Sequence, residues 1–457
     1  MTATGEPTTG GLRPPRTPQT SGANPRTAQK SGANPGTPQK SAANPRTPRP
    51  LTNARVSRIP ASGIRRFFDL IAGVEGVISL GVGEPDFITP QRFRDAAIAS
   101  ITDGRTKYTS NYGILPLREA ISDHTQKMHG VRYDPASEIL VTVGVSEAVD
   151  LALRATLEDG DEVLIADPSY VAYVPGIILA GGVPVPVTTH EEHDFRLRPE
   201  DVRAALTPRT RAILLGFPNN PTGGVLTKAD VDGIATIARE RDLIVYADEI
   251  YDRLVYGPAR TRPEARPPGE DERRPEERSD DGADHESIVT REGMKDRTVY
   301  LAGFSKSYAM TGWRIGYACA PAEVIEQMMK IHQYTVMCVP TAGQYAALEA
   351  LRNGEADVVR MVAEYDRRRK RIWERFNGMG LHCFEPRGAF YAFPNITSTG
   401  LDDDTFAERL LKEEKVVVVP GNAFGEQGRG HIRACYAASM EQIDEACDRI
   451  ERFVSRL

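Results

Sequence analysis

The sequence predicts an α/β fold in which a mostly parallel sheet is covered by helices on both faces, with a smaller α+β domain beside it. Short apolar runs alternate with helical patterns between residues 138 and 302, which is typical of consecutive β–α–β units. Strands and helices in alternation are expected of a mostly parallel sheet that is covered on both faces. After Pro321 the pattern becomes mainly helical, and this change predicts the second domain.

The predicted elements follow in chain order. Before the alternation we predict a helix over 62–72, a strand over 77–80, and helices over 92–101 and 116–128. In the alternating part the predicted strands are 138–143, 162–166, 183–187, 212–215, 243–247 and 299–302, with helices over 146–157, 171–180 and 228–239. The last part is predicted to hold one long charged helix over 346–376, strands over 389–393, 416–419 and 431–436, and a final helix over 440–457.

Two segments lack the apolar residues that a packed core needs. Residues 1–50 contain three similar ten-residue units starting at Ser21, Ser31 and Ser41, and we predict a disordered tail there. Residues 258–284 are dense in proline and charge, which predicts a disordered insertion between two strands. We predict that both segments are dispensable. The alternatives are that the tail binds a polyanion and that the insertion has a regulatory role. The predicted domains are a small one made of 51–80 and 331–457 and a large one made of 81–330.

Composition and charge argue against several classes of protein. The chain has 457 residues and a net charge of −6, which argues against nucleic-acid binding over the whole chain. Its five cysteines are odd in number and lack metal-ligand spacing, so we expect free thiols, no metal and a cytoplasmic location. No apolar run reaches the length of roughly eighteen residues that a membrane span needs. The N-terminus also lacks the apolar region of a secretory signal.

Lys306 lies in an unusual stretch that follows a predicted strand. Small and hydroxyl residues surround it, and Arg314 follows eight positions later, so a flat ligand can approach the backbone closely. A desolvated lysine suits an aldehyde because only the neutral amine attacks a carbonyl, and an arginine suits a phosphate. An aldehyde and a phosphate on one planar ring describe pyridoxal phosphate. The alternative interpretation is that Lys306, like most single lysines, is a surface residue without a role in catalysis.

A cofactor of this kind needs a carboxylate that keeps its ring nitrogen protonated. Asp248 directly follows the apolar run 243–247, at the sheet edge where parallel sheets bind ligands. A strand-end cap is the alternative for an isolated aspartate. Tyr251 and Asn220, the latter in the turn-like loop 217–223, could each donate a hydrogen bond to the phenolic oxygen of the ring.

The phosphate of the cofactor needs backbone amides and cations. A predicted strand leads into residues 144–146 and then a helix, so free N–H groups and the helix dipole would face an anion. Arg314 and the hydroxyl of Ser305 would add to this site. Tyr170 follows another strand and could stack on the ring, although a core aromatic residue is equally consistent with its spacing.

A substrate carboxylate needs a group that grips it. Arg433 lies among apolar neighbours in the alternating run 431–436. A bidentate grip on an α-carboxylate is the functional interpretation, and a surface salt bridge is the alternative.

From about residue 55 to the end, these motifs resemble those of class I/II aminotransferases of fold type I, in the aspartate and aromatic subgroup of bacteria and archaea. The matching blocks, in the same order, are 83–87, 107–108, 219–223, 248–251, 303–316, 387–391 and Arg433. The resemblance implies an enzyme that uses pyridoxal 5′-phosphate to transfer an amino group between an L-amino acid and a 2-oxo acid such as 2-oxoglutarate. Aspartate and aromatic amino acids are the implied donors.

The resemblance also implies a role for each matched residue. Lys306 would form the Schiff base and move a proton at the substrate, Asp248 would meet the ring nitrogen, and Asn220 and Tyr251 would meet the phenolic oxygen. Further implied contacts are those of the ring with Tyr170, of the phosphate with Val145, Ser146, Ser305 and Arg314, and of the substrate carboxylate with Arg433, Asn220 and the backbone of Gly83. Tyr108 would reach the phosphate of a neighbouring subunit, which implies a homodimer with shared active sites.

Three positions depart from the family pattern. Gly303 replaces a phosphate-binding serine or threonine of many members, so that Ser305 must compensate or the contact is lost. Tyr170 replaces a tryptophan of some relatives. Ser146 occupies the place where one aspartate-specific subgroup carries a lysine for the distal carboxylate, so we expect a broad donor range. A cation from Arg55, Arg58 or Arg65 could restore selectivity for aspartate.

Two other functions remain alternatives at this stage. A lyase on the same scaffold, such as a carbon–sulfur lyase, would share the cofactor residues. A transcription regulator with an aminotransferase-like domain would need a helix-turn-helix, and residues 1–50 lack the apolar periodicity to build one.

Overall fold

The structure is a computed structural model, and it describes residues 51–59, 76–257 and 285–457. Its strands are β1 (Ile78–Ser79), β2 (Ile139–Thr142), β3 (Glu162–Asp167), β4 (Val183–Thr188), β5 (Thr210–Gly216), β6 (Ile244–Asp248), β7 (Thr298–Gly303), β8 (Gly316–Cys319), β9 (Tyr391–Ala392), β10 (Val416–Val417), β11 (Val419–Pro420) and β12 (Ile432–Cys435). Its α-helices are α1 (Gln91–Thr102), α2 (Leu115–His129), α3 (Gly144–Thr156), α4 (Tyr173–Ala180), α5 (Pro199–Ala205), α6 (Lys228–Glu240), α7 (Ala322–Thr335), α8 (Thr341–Asn353), α9 (Glu355–Gly378), α10 (Asp403–Glu414) and α11 (Met440–Val454). The predicted tail at 1–50, helix at 62–72 and insertion at 258–284 lie outside the described residues.

Within these residues the largest sheet has seven strands in the spatial order β2-β8-β7-β6-β5-β3-β4. The five strands from β3 to β7 pair in parallel, as the alternating pattern predicts. Strand β8 pairs antiparallel with both β2 and β7 and was not predicted from the sequence. The predicted class, a mostly parallel sheet with covering helices, is confirmed.

Alternate residues of the central strands belong to different cores on the two faces of the sheet. On β7, Val299 and Leu301 share a core with α3, whereas Tyr300 and Ala302 share a core with α1 and α8. The same alternation on β5 contributes one set of residues to the core with α3 and the other to the core with α6. Burial on both faces explains why the middle positions of these strands are apolar in succession.

A second set of elements surrounds two small sheets. Strands β11, β12 and β9 form an antiparallel sheet in that order, and β1 pairs in parallel with β10. Helices α9, α10 and α11 pack on them through residues such as Phe376, Leu410 and Ile450. By proximity of Cα atoms, Thr52–Leu457 form one compact unit, and the division into a large and a small domain stays a prediction.

Two predicted elements were wrong in their extent. The helix predicted over 346–376 is two helices, α8 and α9, which meet at Gly354. A side chain at this glycine would place its Cβ 2.5 Å from the ring of Phe93, so the close packing on α1 requires glycine there. The strand predicted over 416–419 is split, because β10 joins β1 whereas β11 joins β12.

Among the helices of the described ranges, none combines the length and the apolarity that crossing a bilayer requires.

Candidate active site

Three of the predicted site residues, Asp248, Lys306 and Asn220, lie at or just beyond the carboxyl ends of parallel strands. Strand β6 ends at Asp248, and β7 ends three residues before Lys306. Strand β5 ends at Gly216, directly before the loop that contains Asn220. Because neighbouring parallel strands end at the same edge of a sheet, their following loops line one crevice.

Lys306 lies in this crevice with its amine directed at the loop after β1. Its Nζ donates a 2.6 Å hydrogen bond to the carbonyl oxygen of Gly83 and lies within 6 Å of the rings of Tyr251 and Phe390. Burial lowers the pKa of Lys306 to about 8, and the positive charges of Arg433 and Arg314 act in the same direction. A substantial fraction of the amine is therefore neutral near pH 8, the form that attacks a carbonyl.

Thr89 fixes the loop that carries Lys306. Its Oγ1 donates to the carbonyl oxygen of Ala309 at 2.5 Å and accepts from Nε1 of Trp313 at 3.0 Å. Ala309 and Arg314 both have left-handed backbone conformations, with φ of +52° and +57°. Such conformations are unfavourable for residues other than glycine, so the loop needs external contacts to hold them. Sequence reasoning missed Thr89, which lies more than two hundred residues from its partners.

Asp248 is a buried carboxylate without an ion pair in the described part of the chain. Only 6% of its surface is exposed, and its Oδ2 accepts a 2.8 Å hydrogen bond from the hydroxyl of Tyr173. Burial raises the pKa of Asp248 to about 6, although the bond from Tyr173 and the amide of Ile250 partly oppose this. A buried acid in this state would gain a partner from a protonated ring nitrogen. Tyr173 was not predicted as a site residue.

Arg433 is oriented by two hydrogen bonds and two aromatic rings of the chain itself. Its Nη2 donates to the carbonyl oxygen of Gly81 at 2.7 Å and its Nη1 donates to Oδ1 of Asn220 at 2.8 Å. The guanidinium lies between two rings, 4.5 Å from the centroid of Tyr391 and 4.8 Å from that of Phe424. Its Nε is buried and has no hydrogen-bond partner within the described residues. With its oxygen facing Arg433, Asn220 keeps its amide nitrogen for another acceptor.

The N-terminus of α3 lies beside Arg314, in the arrangement that the predicted anion site requires. Gly144 begins the helix with φ of +74°, and a Cβ there would lie 2.5 Å from Nη2 of Arg314. Arg314 also donates to the carbonyl oxygen of Thr311 at 2.9 Å, and its guanidinium is exposed. The guanidinium, the first amides of the helix, and the side chains of Val145 and Ser146 therefore lie at one edge.

Close packing around position 303 explains why a glycine is found there. A Cβ on Gly303 would lie 3.0 Å from Cα of Gly316 and 3.1 Å from a methyl group of Val145. Strands β7 and β8 pair directly through these two glycines, and α3 packs against both. A serine at 303 would need this contact to open by a few tenths of an ångström. Ser305 is buried two residues later, and its role at the phosphate stays a prediction.

Tyr170 faces the same crevice. Burial raises its pKa, Asp248 adds to this rise, and Arg314, Arg433 and a hydrogen bond with Ser146 oppose it. Its ring meets the ring of Tyr173 edge-on at 5.4 Å. The side chain thus lies near the predicted partners of both the ring nitrogen and the phosphate.

Two predicted residues lie away from the crevice of this chain. Tyr108 is 82% exposed on a loop that is anchored by a bond from Thr341 to the carbonyl oxygen of Lys107. Arg55 pairs with Asp159 at 2.8 Å, in the turn before β3, and therefore lies at the sheet edge opposite the site. Arg58 ends a short 3₁₀ helix, and Arg65 lies outside the described residues.

These residues fit pyridoxal phosphate. The buried acid, the amine with a lowered pKa and the helix N-terminus beside Arg314 match the ring nitrogen, the aldehyde and the phosphate of that cofactor. The buried Nε of Arg433 marks a position for an anion on the other side of the crevice. Fold and site together define a pyridoxal-phosphate enzyme of fold type I.

Comparison with known proteins identifies the family. The family described as aminotransferase class I and II matches residues 75–450. The chain is 44% identical to aromatic-amino-acid aminotransferase 2 of Thermococcus litoralis, over 87% of this chain and 97% of that protein. It is also 44% identical to the aspartate aminotransferase of Pyrococcus abyssi, with the same coverage. The solved structure of the aromatic aminotransferase from Pyrococcus horikoshii superposes with a TM-score of 0.76 and 44% identity, covering 86% of this chain and 99% of that one.

The chain therefore belongs to the class I and II aminotransferases. It is a pyridoxal-phosphate-dependent transaminase, as its sequence motifs predict. These relatives favour amino-group transfer over the lyase alternative.

Proposed function

We propose that the enzyme transfers the amino group of aspartate and of aromatic amino acids to 2-oxoglutarate, as a cytoplasmic homodimer with shared active sites. One observation carries the assignment of residues. The carbonyl oxygens of Gly81 and Gly83, two positions apart on one loop, receive the guanidinium of Arg433 and the amine of Lys306. A carboxylate gripped by Arg433 would thus hold the adjoining Cα beside the amine that moves its proton.

When bound, pyridoxal phosphate supplies a carbonyl for the amino group and a ring that withdraws electrons from the bonds at the substrate Cα. Asp248 keeps the ring nitrogen protonated, and Asn220 and Tyr251 donate to the phenolic oxygen. Lys306 would hold the aldehyde carbon of the cofactor and would take the proton from the substrate Cα as a general base. Val145, Ser146, Ser305 and Arg314 hold the phosphate, while Tyr170 covers the ring.

The proposal of a broad donor range is argued from Arg433, Ser146 and Arg55. Arg433 grips the α-carboxylate that all amino donors share, so it does not distinguish their side chains. Ser146 offers a hydroxyl where a lysine would bind a distal carboxylate, which forfeits roughly 1–2 kcal/mol, or about tenfold. Arg55, a candidate to restore such a cation, is paired with Asp159 at the opposite edge of the sheet. Aromatic and aspartate aminotransferases among the relatives are consistent with both donors.

The homodimer is supported by apolar surface on ordered elements. Tyr108 is 82% exposed, and Tyr334 at the end of α7 is 87% exposed. Met337 follows close by and exposes 45% of its surface, four residues before the Thr341 that anchors the Tyr108 loop. Large exposed apolar groups in one region mark an interaction surface, and a second copy would complete the phosphate site with Tyr108. The cytoplasmic location is supported by the five cysteines, none of which forms a disulfide.

The assignment of Lys306 is tested by Lys306→Ala. Anchoring and proton transfer are both lost, so we expect kcat/KM to fall by at least about a thousandfold and the visible absorbance of the bound cofactor to disappear. Borohydride followed by mass spectrometry should attach the cofactor to Lys306 in the parent enzyme. Lys330→Ala, at a half-exposed lysine paired with Glu326, is the matched control and should keep the parent rate. A Lys306→Ala variant with a near-parent rate would refute the assignment.

The donor range is tested by a panel of amino acids with 2-oxoglutarate. We expect aspartate, phenylalanine and tyrosine to be used with kcat/KM values that differ by far less than about a thousandfold. A larger preference for aspartate would show that another cation selects it. Assays without an acceptor check the reaction type, because pyruvate and ammonia would then indicate a lyase.

A further inference from the structure

Tyr391 lies where the parts of the site meet. Its side chain is 1% exposed, and its hydroxyl is 2.8 Å from that of Tyr251. Its ring centroid is 4.5 Å from the guanidinium carbon of Arg433. A Cβ on Gly83 would lie 2.2 Å from the same hydroxyl, so the phenol also presses against the loop that receives Lys306. One side chain thus touches three predicted functional positions.

The backbone fixes this position. Strand β9 pairs antiparallel with β12 so that Tyr391 is opposite Cys435. Because side chains alternate along a strand, Arg433 lies on the same face as Cys435 and is the diagonal neighbour of Tyr391. The ring and the guanidinium therefore stack as a consequence of strand register.

Counting protons shows which hydroxyl is the donor in the hydrogen bond between Tyr251 and Tyr391. Each phenol has one proton to donate, and burial raises the pKa of both Tyr251 and Tyr391, so both keep that proton at neutral pH. If Tyr251 donates its proton to the phenolic oxygen of the cofactor, it can only accept in its bond with Tyr391. Tyr391 must then be the donor.

We propose that Tyr391 is a positioning residue whose hydroxyl directs the proton of Tyr251 towards the cofactor and whose ring supports Arg433 for the substrate carboxylate. The inference rests on the proposed roles of Tyr251 and Arg433. The two parts of the Tyr391 side chain then have different roles: the hydroxyl acts on the cofactor through Tyr251, and the ring acts on the substrate through Arg433.

Two substitutions separate these parts. Tyr391→Phe removes the hydroxyl and keeps the ring, whereas Tyr391→Leu removes both. Without a donor from position 391, Tyr251 is a weaker donor to the phenolic oxygen, so the nitrogen of Lys306 attached to the cofactor holds its proton more tightly. We expect the midpoint of the absorbance titration of the holoenzyme to rise by about half a pH unit in both variants.

Substrate binding should change in Tyr391→Leu and not in Tyr391→Phe. Loss of the ring beneath Arg433 should raise KM for amino donors, and the Kd of an unreactive carboxylate, by about fivefold, while Tyr391→Phe keeps the parent values. Tyr133→Phe is the matched control, because Tyr133 is equally buried and its hydroxyl has no hydrogen-bond partner within the described residues. It should leave both the midpoint and KM unchanged.

A shifted midpoint in Tyr391→Phe with an unchanged KM supports the inference, since a merely structural role would not separate the two readouts. An unchanged midpoint in this variant, with the cofactor band present, would overturn the inference and leave the proposed function standing. A raised KM equal to that of Tyr391→Leu would overturn the division between hydroxyl and ring. Absence of the band in the parent enzyme would overturn the proposed function and the inference with it.

Discussion

The two sides of the crevice, which we propose to bind the cofactor and the substrate carboxylate and call the cofactor side and the carboxylate side, are built in opposite ways. On the cofactor side, Asp248 and Lys306 have shifted pKa values, and neither forms an ion pair within the described residues. On the carboxylate side, Arg433 already has two acceptors and two aromatic neighbours. Asp248 and Lys306 thus have no charged partner in the described residues, whereas the guanidinium of Arg433 is already oriented by its neighbours.

The difference shows that the two sides of the crevice have different effects on the stability of the fold and on ligand binding. A buried charge without a partner destabilises the fold until a ligand neutralises it, so binding of the cofactor relieves an existing cost. A pre-oriented guanidinium loses little freedom when a carboxylate arrives, so substrate binding needs little rearrangement. Each side can be tested by a substitution that keeps the shape of the group and changes one property.

Arg433→Lys should have the largest effect among these tests. A lysine keeps the charge but cannot make the bidentate grip, nor can it bond both Gly81 and Asn220 in the same geometry. We expect kcat/KM for amino donors to fall by about a hundredfold, mainly through KM, while the absorbance of the bound cofactor stays that of the parent. Arg371→Lys, at a surface pair with Asp444, is the control. Loss of the cofactor band in Arg433→Lys would show that the two sides are not separate.

Asp248→Asn should stabilise the cofactor-free protein. Burial raises the pKa of Asp248 in the folded state to about 6 from an ordinary value of 3.8. The unfolded chain therefore loses this proton first, and the resulting destabilisation grows as pH rises from about 4 to 6 and is constant above. At pH 7 we expect the variant to gain on the order of 3 kcal/mol in the free energy of unfolding, and nothing below about pH 4.

Denaturant titrations of the cofactor-free parent and variant at several pH values would measure this gain. With cofactor bound, the order should reverse, because asparagine cannot neutralise the ring nitrogen. A variant that is less stable than the parent at pH 7 without cofactor would contradict the view that Asp248 lacks a partner in the chain.

Deletion of residues 1–50 or of 258–284 should have the smallest effect. Neither segment contains a predicted site residue, and bulky apolar residues are almost absent from both. The second deletion should keep His285, whose Nε2 lies 2.6 Å from the carboxylate of Glu249, next to Asp248. With a short glycine–serine linker in its place, we expect turnover to remain within a few-fold of the parent. A collapse of activity with an intact circular dichroism spectrum would show that the insertion shapes the site.

The sequence predicted the elements whose signal is local. Strands such as β3 and β6 are uninterrupted apolar runs between turn residues, and Lys306, Asp248 and Arg433 lie in motifs that can be read within a few positions. Strand β8 was missed because it is a four-residue run, separated from β7 by a loop with a short 3₁₀ helix and by no α-helix. The break at Gly354 was missed because its cause is the ring of Phe93, more than two hundred residues earlier.

The supporting residues of the site could not be predicted for the same reason. Tyr173 reaches Asp248 across 75 positions, and Tyr391 reaches Tyr251 across 140. Nothing in the local pattern distinguishes either tyrosine from a core aromatic residue. Their roles follow from strand order and register, which the sequence alone leaves open.

The bond between Arg433 and Gly81 has a consequence for when the enzyme becomes competent. It joins groups that are 352 positions apart, and the neighbouring pair of β1 and β10 joins Ile78 with Val416. Closing a loop of that size is entropically costly until the intervening chain has folded, and such long-range contacts are slow to form. A chain emerging from the ribosome can build the sheet that carries Asp248 and Lys306 long before residue 433 exists. The proposed carboxylate grip is thus one of the last features to assemble, and with Arg433 in that role amino acids cannot be held for catalysis before nearly the whole chain has been made.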